Sequence, residues 1–185
     1  DGGDMSTAHQ LIGFGKNREK DDFYSTPPYA VEKLLSVEKF SGNIFEPCCG
    51  EGHISKVLIK NGYKVESADL IDRGYGIVGR DFLFERLQRD NIITNPPFKL
   101  ATQMVKHSQY IAKNKIAMLL KITFLEGIER YDLFKNYPPI RIWVFSKRVT
   151  TQKNANKKIK GGMFCFAWFI WQKNNKNAPT LGWLL

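Results

Sequence analysis

An α/β fold built on a parallel sheet is predicted by three features of the sequence. Short apolar runs alternate with stretches whose apolar residues recur at helical spacing, the pattern of successive βαβ units. A glycine-rich turn, FEPCCGEG (45–52), joins an early apolar run to the helical stretch behind it, where α/β folds bind nucleotides. The two late runs, IRIWVFSKRV and GGMFCFAWFIWQ, have no helix between them and are joined by a polar, basic connection, 146–162.

Taken in order, STPPYAVEKLL (25–35) reads as a turn and a helix. Ser25 or Thr26 can cap it, the prolines suit its first turn, and Ala30, Val31, Leu34 and Leu35 share one face. After the short strand of 42–46, HISKVLIKNG (53–62) carries Ile54, Val57 and Leu58 on one face and stops at Gly62. YKVESADLI (63–71) and DNIITNPPF (90–98) read as strands, with a shorter one in 76–84. LATQMVKHSQYIAKN (100–114) is a helix, KIAMLLKITFLE (115–126) a buried strand, and GIERYDLFKNYPP (127–139) a short helix halted by its prolines.

The 185 residues suffice for one domain with a real core, expected over 22–173. Residues 1–21 read as a tag remnant (DGGD) and a loose arm, and 174–185 as a tail. The net charge of +10 calls for a polyanionic partner, most simply nucleic acid. No charged-then-apolar leader is visible, and MFCFAWFIW (163–171) is too short to span a bilayer. Three cysteines, Cys48 and Cys49 adjacent, make no disulfide framework, and no Cys/His spacing suits zinc. A reducing cytoplasm is expected. His9, His53 and His107 show no partner pattern and read as structural or surface residues.

In the glycine-rich turn, Gly50 and Gly52 let the backbone bend sharply and approach a ligand, and the helix start behind them favours negative charge. The third glycine of a dinucleotide fingerprint is missing, as is the Gly-Lys-Ser/Thr of a phosphate loop. Asp69 lies nineteen residues after Gly50, at a strand end, where a carboxylate accepts from both hydroxyls of a ribose. Glu46 supplies a second carboxylate, suited to an ammonium group. Asp81 and Phe82 can accept from an adenine amino group and cover its ring. A ligand with a ribose, an ammonium and a carboxylate but no phosphate is S-adenosylmethionine.

ITNPPF (93–98) raises a separate question, because neither proline can donate a ladder hydrogen bond and the strand must stop near Asn95. The residue before a proline is held extended, so this corner rigidly presents an amide, fixed carbonyls and the ring of Phe98.

Taken together, these stretches resemble the DNA adenine-N6 methyltransferases, in particular the small ones of phage genomes, within the S-adenosylmethionine-dependent superfamily. DFYSTPPYAVEKLL is similar to the family's cofactor-contacting segment, which implies cofactor contacts from Tyr24 and Thr26. FEPCCGEG matches its glycine loop, bringing in Glu46, Cys48, Gly50 and Gly52, and NPPF (Asn95, Pro96, Pro97, Phe98) matches its catalytic motif. Asp69, Asp81 and Phe82 fall where its ribose- and adenine-binding positions lie. The resemblance covers about residues 22–171. It implies a Rossmann-like sheet of seven strands, the last antiparallel, with helices on both faces.

It also implies a use for the corner. The exocyclic amine of adenine is a poor nucleophile, and two acceptors, the Asn95 side-chain oxygen and the Pro96 carbonyl, would take its hydrogens and aim its lone pair. Phe98 would stack on an extruded base of double-stranded DNA. The basic connection, with Lys147, Arg148, Lys153, Lys157, Lys158 and Lys160, would lie against phosphates. The separate target-recognition domain of many members is not visible, so this loop, the N-terminal arm or a partner would read the site. The same corner occurs in enzymes that methylate RNA adenines or a release-factor glutamine, and a non-catalytic nucleic-acid binder could retain the fold.

Overall fold

The structure, a computed structural model, describes residues 24–149 and 164–185. Eight strands form one sheet in the order β3-β2-β1-β4-β5-β7-β6-β8. They are β1 Ile44–Glu46, β2 Val65–Asp69, β3 Ile77–Val78, β4 Asn91–Thr94, β5 Lys115–Lys121, β6 Arg141–Phe145, β7 Phe166–Gln172 and β8 Thr180–Leu184. Helices α1 Pro28–Val37, α2 His53–Lys60, α3 Ala101–Ile111 and α4 Tyr131–Asn136 cover its two faces. β7 alone runs against the others, pairing antiparallel with β5 and β6. This is the expected Rossmann-like α/β fold. Among the described residues no helix is long and apolar enough to cross a membrane.

Alternation along the strands divides the core. Ala117 and Leu119 of β5 point to a layer with Leu34 of α1 and Leu58 of α2. Ile116, Met118 and Leu120 point to the other layer, with Met104 of α3 and Leu133 of α4. β7 is buried on both faces, which is why its sequence is an unbroken apolar run. Its two tryptophans satisfy their ring N–H groups as they are buried: Trp168 donates to the Ala30 carbonyl at 2.8 Å and Trp171 to that of Tyr137 at 2.9 Å. Beyond α1, buried Glu38 accepts from Lys115, Arg141 and the Trp143 ring. Burial pushes its carboxyl up, but these donors outweigh burial and hold it below the usual range.

Three expectations are corrected. The sheet has eight strands, because Thr180–Leu184, expected as part of a tail, pairs parallel with β6 as the edge strand β8, so the antiparallel strand is not the last. The link from β7 to β8 rounds the start of β6, where Thr180 N–H donates to the Ile140 carbonyl, and Gly182 leaves room for the Trp143 ring opposite it: a Cβ at Gly182 would lie 2.2 Å from that ring. The expected strand of 76–84 shrinks to Ile77–Val78, since Asp81 caps a 3-10 turn at Phe82–Phe84 by accepting from Leu83 N–H. Neither Ser25 nor Thr26 caps α1; Pro27 takes the cap position and Pro28 opens the helix.

Candidate active site

The strand order reverses beside β1, which has β2 on one side and β4 on the other. Chains leaving their carboxyl ends diverge there and open a crevice. Glu46 ends β1, Asp69 ends β2, and Asn95 follows directly on β4. All three line one cleft. Tyr24, Thr26, Cys48, Asp81, Phe82 and Pro97 line it as well. The glycine-rich turn and the proline corner therefore open into the same space.

The loop after β1 is built for close approach. Gly52 adopts a left-handed φ of 80° at the start of α2, and the Tyr75 ring lies so near that a Cβ would sit 2.5 Å from it. Gly50, also at positive φ, donates its N–H to Asp69 Oδ2 at 2.7 Å. Asp69 Oδ1 accepts from Ile71 N–H at 3.1 Å. The carboxylate thus fixes the loop, and each oxygen keeps a lone pair for a second donor. Neither glycine lines the cleft; both shape its wall.

Glu46 is 1% exposed. Its Oε2 accepts from the Ser55 N–H at 2.9 Å and from the Ser55 hydroxyl, and among the described residues Oε1 carries no hydrogen bond. Burial pushes this carboxyl up to about 8, against the pull of the Ser55 donors. The same burial raises the thiols beside it, Cys48 well above its ordinary value and Cys49 to about 12, so both are held as thiols and not as nucleophiles. Cys48 Sγ rests 4.0 Å from the Met104 sulfur as cleft wall. Asp81 and Phe82 also line the cleft. Phe82 is largely committed to packing, against Phe45 and edge-on to His107.

At the corner, Asn95 Nδ2 donates to the Tyr24 carbonyl at 3.0 Å and to Thr26 Oγ1 at 3.1 Å. A carbonyl can only accept, so the nitrogen end of the amide must face Tyr24 and the oxygen end is turned away. Among the described residues neither Asn95 Oδ1 nor the Pro96 carbonyl has a hydrogen-bond partner, whereas the Pro97 carbonyl accepts from Leu100 N–H. Thr26, 3% exposed, spends its hydroxyl on this contact and not on capping α1.

Phe98 does not line the cleft. Its ring packs against Tyr24 and Phe166 and borders a neighbouring pocket that Lys121 and Arg130 also line. Lys121 Nζ lies 3.9 Å from the Phe98 ring centre and 3.6 Å from that of Phe164. Sequence reasoning missed both residues. Phe164 is hidden in an aromatic-rich run; Lys121 left the one signal, a cation closing an apolar strand. Lys147 and Arg148 are exposed past β6, while Lys153, Lys157, Lys158 and Lys160 lie outside the described residues.

No family model and no curated protein sequence matches the chain. Solved structures share its fold. A protein of Pyrococcus horikoshii described as an RNA methyltransferase superposes with a TM-score of 0.61 at 16% identity, covering 81% of this chain and 86% of its own. The magnesium protoporphyrin IX methyltransferase of Synechocystis gives 0.54 at 14% identity, over 94% and 87%. A protein described as the modification subunit of a type I restriction enzyme of Vibrio vulnificus gives 0.59 at 13% identity over 93% of this chain, which spans 49% of that subunit. The chain has the fold of the S-adenosylmethionine-dependent methyltransferases.

Proposed function

We propose that the protein transfers a methyl group from S-adenosylmethionine to the N6 amino group of adenine in DNA. One observation carries the reading: two unused acceptors, Asn95 Oδ1 and the Pro96 carbonyl, stand on a rigid corner beside a cleft lined by three carboxylates.

The residues fit the cofactor by their chemistry. Asp69 can accept from a ribose, Asp81 from an adenine amino group, and the free Oε1 of Glu46 from an ammonium. Bound there, S-adenosylmethionine would supply an electrophilic methyl on a charged sulfur. Asn95 and Pro96 would accept the two amino hydrogens of the target and hold its lone pair toward that methyl. A neutral amide orients and is too weak a base to take the proton, so the N–C bond would form as the S–C bond breaks, S-adenosylhomocysteine would depart, and the surplus proton would pass to solvent. Phe98 and Phe164, flanking one ammonium, are a pair of ring faces suited to a planar base. The net charge of +10 favours a polyanionic substrate, with Lys147 and Arg148 exposed to meet it.

Transfer of tritium from methyl-labelled cofactor, offered separately to DNA, RNA and a release factor, tests this. Label in DNA recovered as N6-methyladenine is the expected result. Label in RNA or protein alone replaces the substrate, and no transfer to any acceptor rejects the enzyme.

A further inference from the structure

Lys121 closes β5 at the edge of the sheet that carries the cleft, opposite Phe166 on β7. A cation at the end of a buried strand normally reaches for water. Here the ammonium of half-buried Lys121 also sits within cation–π distance of two rings, 3.9 Å from the centre of Phe98 and 3.6 Å from that of Phe164. Phe98 is the aromatic of the proline corner, and its ring also packs against Tyr24 and Phe166. A base stacked on Phe98 and the Lys121 ammonium would compete for the same ring.

We propose that Lys121 is a displaceable occupant of the acceptor slot: its ammonium holds the place of a base between Phe98 and Phe164, and an entering base sends it outward onto a nucleic-acid phosphate. This rests on the nucleic-acid reading above. The cation keeps the two rings from closing on each other in the free protein. Its four-carbon stem and freely rotating donors suit a group that must leave and still keep a charged partner. The space for that movement is the pocket beside Phe98, lined by Leu120, Lys121, Thr123, Phe124 and Arg130. Arg130 is anchored there, donating through Nε to the Glu126 carbonyl at 2.8 Å and lying over Phe124, so a phosphate drawn in would meet a fixed guanidinium as well.

The test is NMR of the full chain. Two ring faces shift the Lys121 ε-methylene protons upfield in the free protein. Mixed-sequence single-stranded and duplex oligodeoxynucleotides, with S-adenosylhomocysteine present, should return them to the ordinary lysine position. Lys121→Met should lower the slope of log affinity against log salt by about one, and Lys121→Arg should restore it, with cofactor affinity unchanged in both. Binding that shifts other residues while the Lys121 methylene stays upfield, with the slope unchanged in Lys121→Met, overturns the displacement and leaves the methyltransferase reading standing. Should the wild-type protein neither bind nor methylate any nucleic acid, the reading and the inference fall together. The wild-type NMR arm needs no variant, so a misfolded substitution does not decide the matter.

Discussion

The Asn95 side-chain nitrogen donates to the main-chain carbonyl of Tyr24 at 3.0 Å, across 71 positions of sequence. That contact orients the amide, and the Thr26 hydroxyl supplies its second anchor at 3.1 Å. Thr26→Val keeps the shape and removes this acceptor. We expect kcat to fall about fivefold, the equivalent of roughly 1 kcal/mol for one hydrogen bond, with cofactor affinity little changed. Asn95→Ala should abolish transfer while cofactor still binds. Steady-state kinetics with calorimetry separates the two effects; a near-wild-type rate for Asn95→Ala removes the corner from the mechanism.

Glu46 gives a pH signature. Its carboxyl is pushed up to about 8 by burial, from an ordinary 4.5. Between those values the folded protein holds a proton that the unfolded chain has released, so the free protein loses stability as pH rises through that window. Glu46→Gln should flatten this dependence, and thermal unfolding at pH 5 and pH 8 measures it. An ammonium docked on Glu46 favours the carboxylate, so binding near pH 7 should release roughly one proton. Calorimetry in buffers of different ionisation heat reads that number, and Glu46→Gln should bring it to zero.

Asp69 holds the loop after β1 and, in the proposed reading, would also take the ribose. Asp69→Ala removes the acceptor for the Gly50 and Ile71 N–H groups. Cofactor affinity should fall at least tenfold, and hydrogen exchange at those two amides should quicken. Unchanged affinity would reject the ribose role even if exchange rises.

Gly182→Ala places a Cβ against the Trp143 ring, which is also tied to Glu38. We expect a loss of about 1–3 kcal/mol from overpacking, visible as a lower melting temperature, with activity retained below it.

These relationships were unequally legible in the sequence. The glycine turn and the two prolines announce themselves because each residue type imposes a backbone geometry, and both stretches fall at strand ends of the cleft. β8 stayed hidden because TLGWL finds its partner in the distant β6, where Gly182 lies opposite Trp143. The strand expected over 76–84 misled because Asp81 bonds its own neighbour Leu83 N–H and turns the chain. The direction of the Phe98 ring was unreadable because Tyr24, Lys121 and Phe166 meet it from three distant segments.

The anchoring of Asn95 by Tyr24 and Thr26 means that the sheet and the proline corner need not mature together. β1, β4 and β5 can pair without the segment ahead of α1, yet the amide gains its bearing only once that segment has docked. A protease nick between Thr26 and the body of the domain would leave the strands paired while releasing the Asn95 amide from both of its anchors.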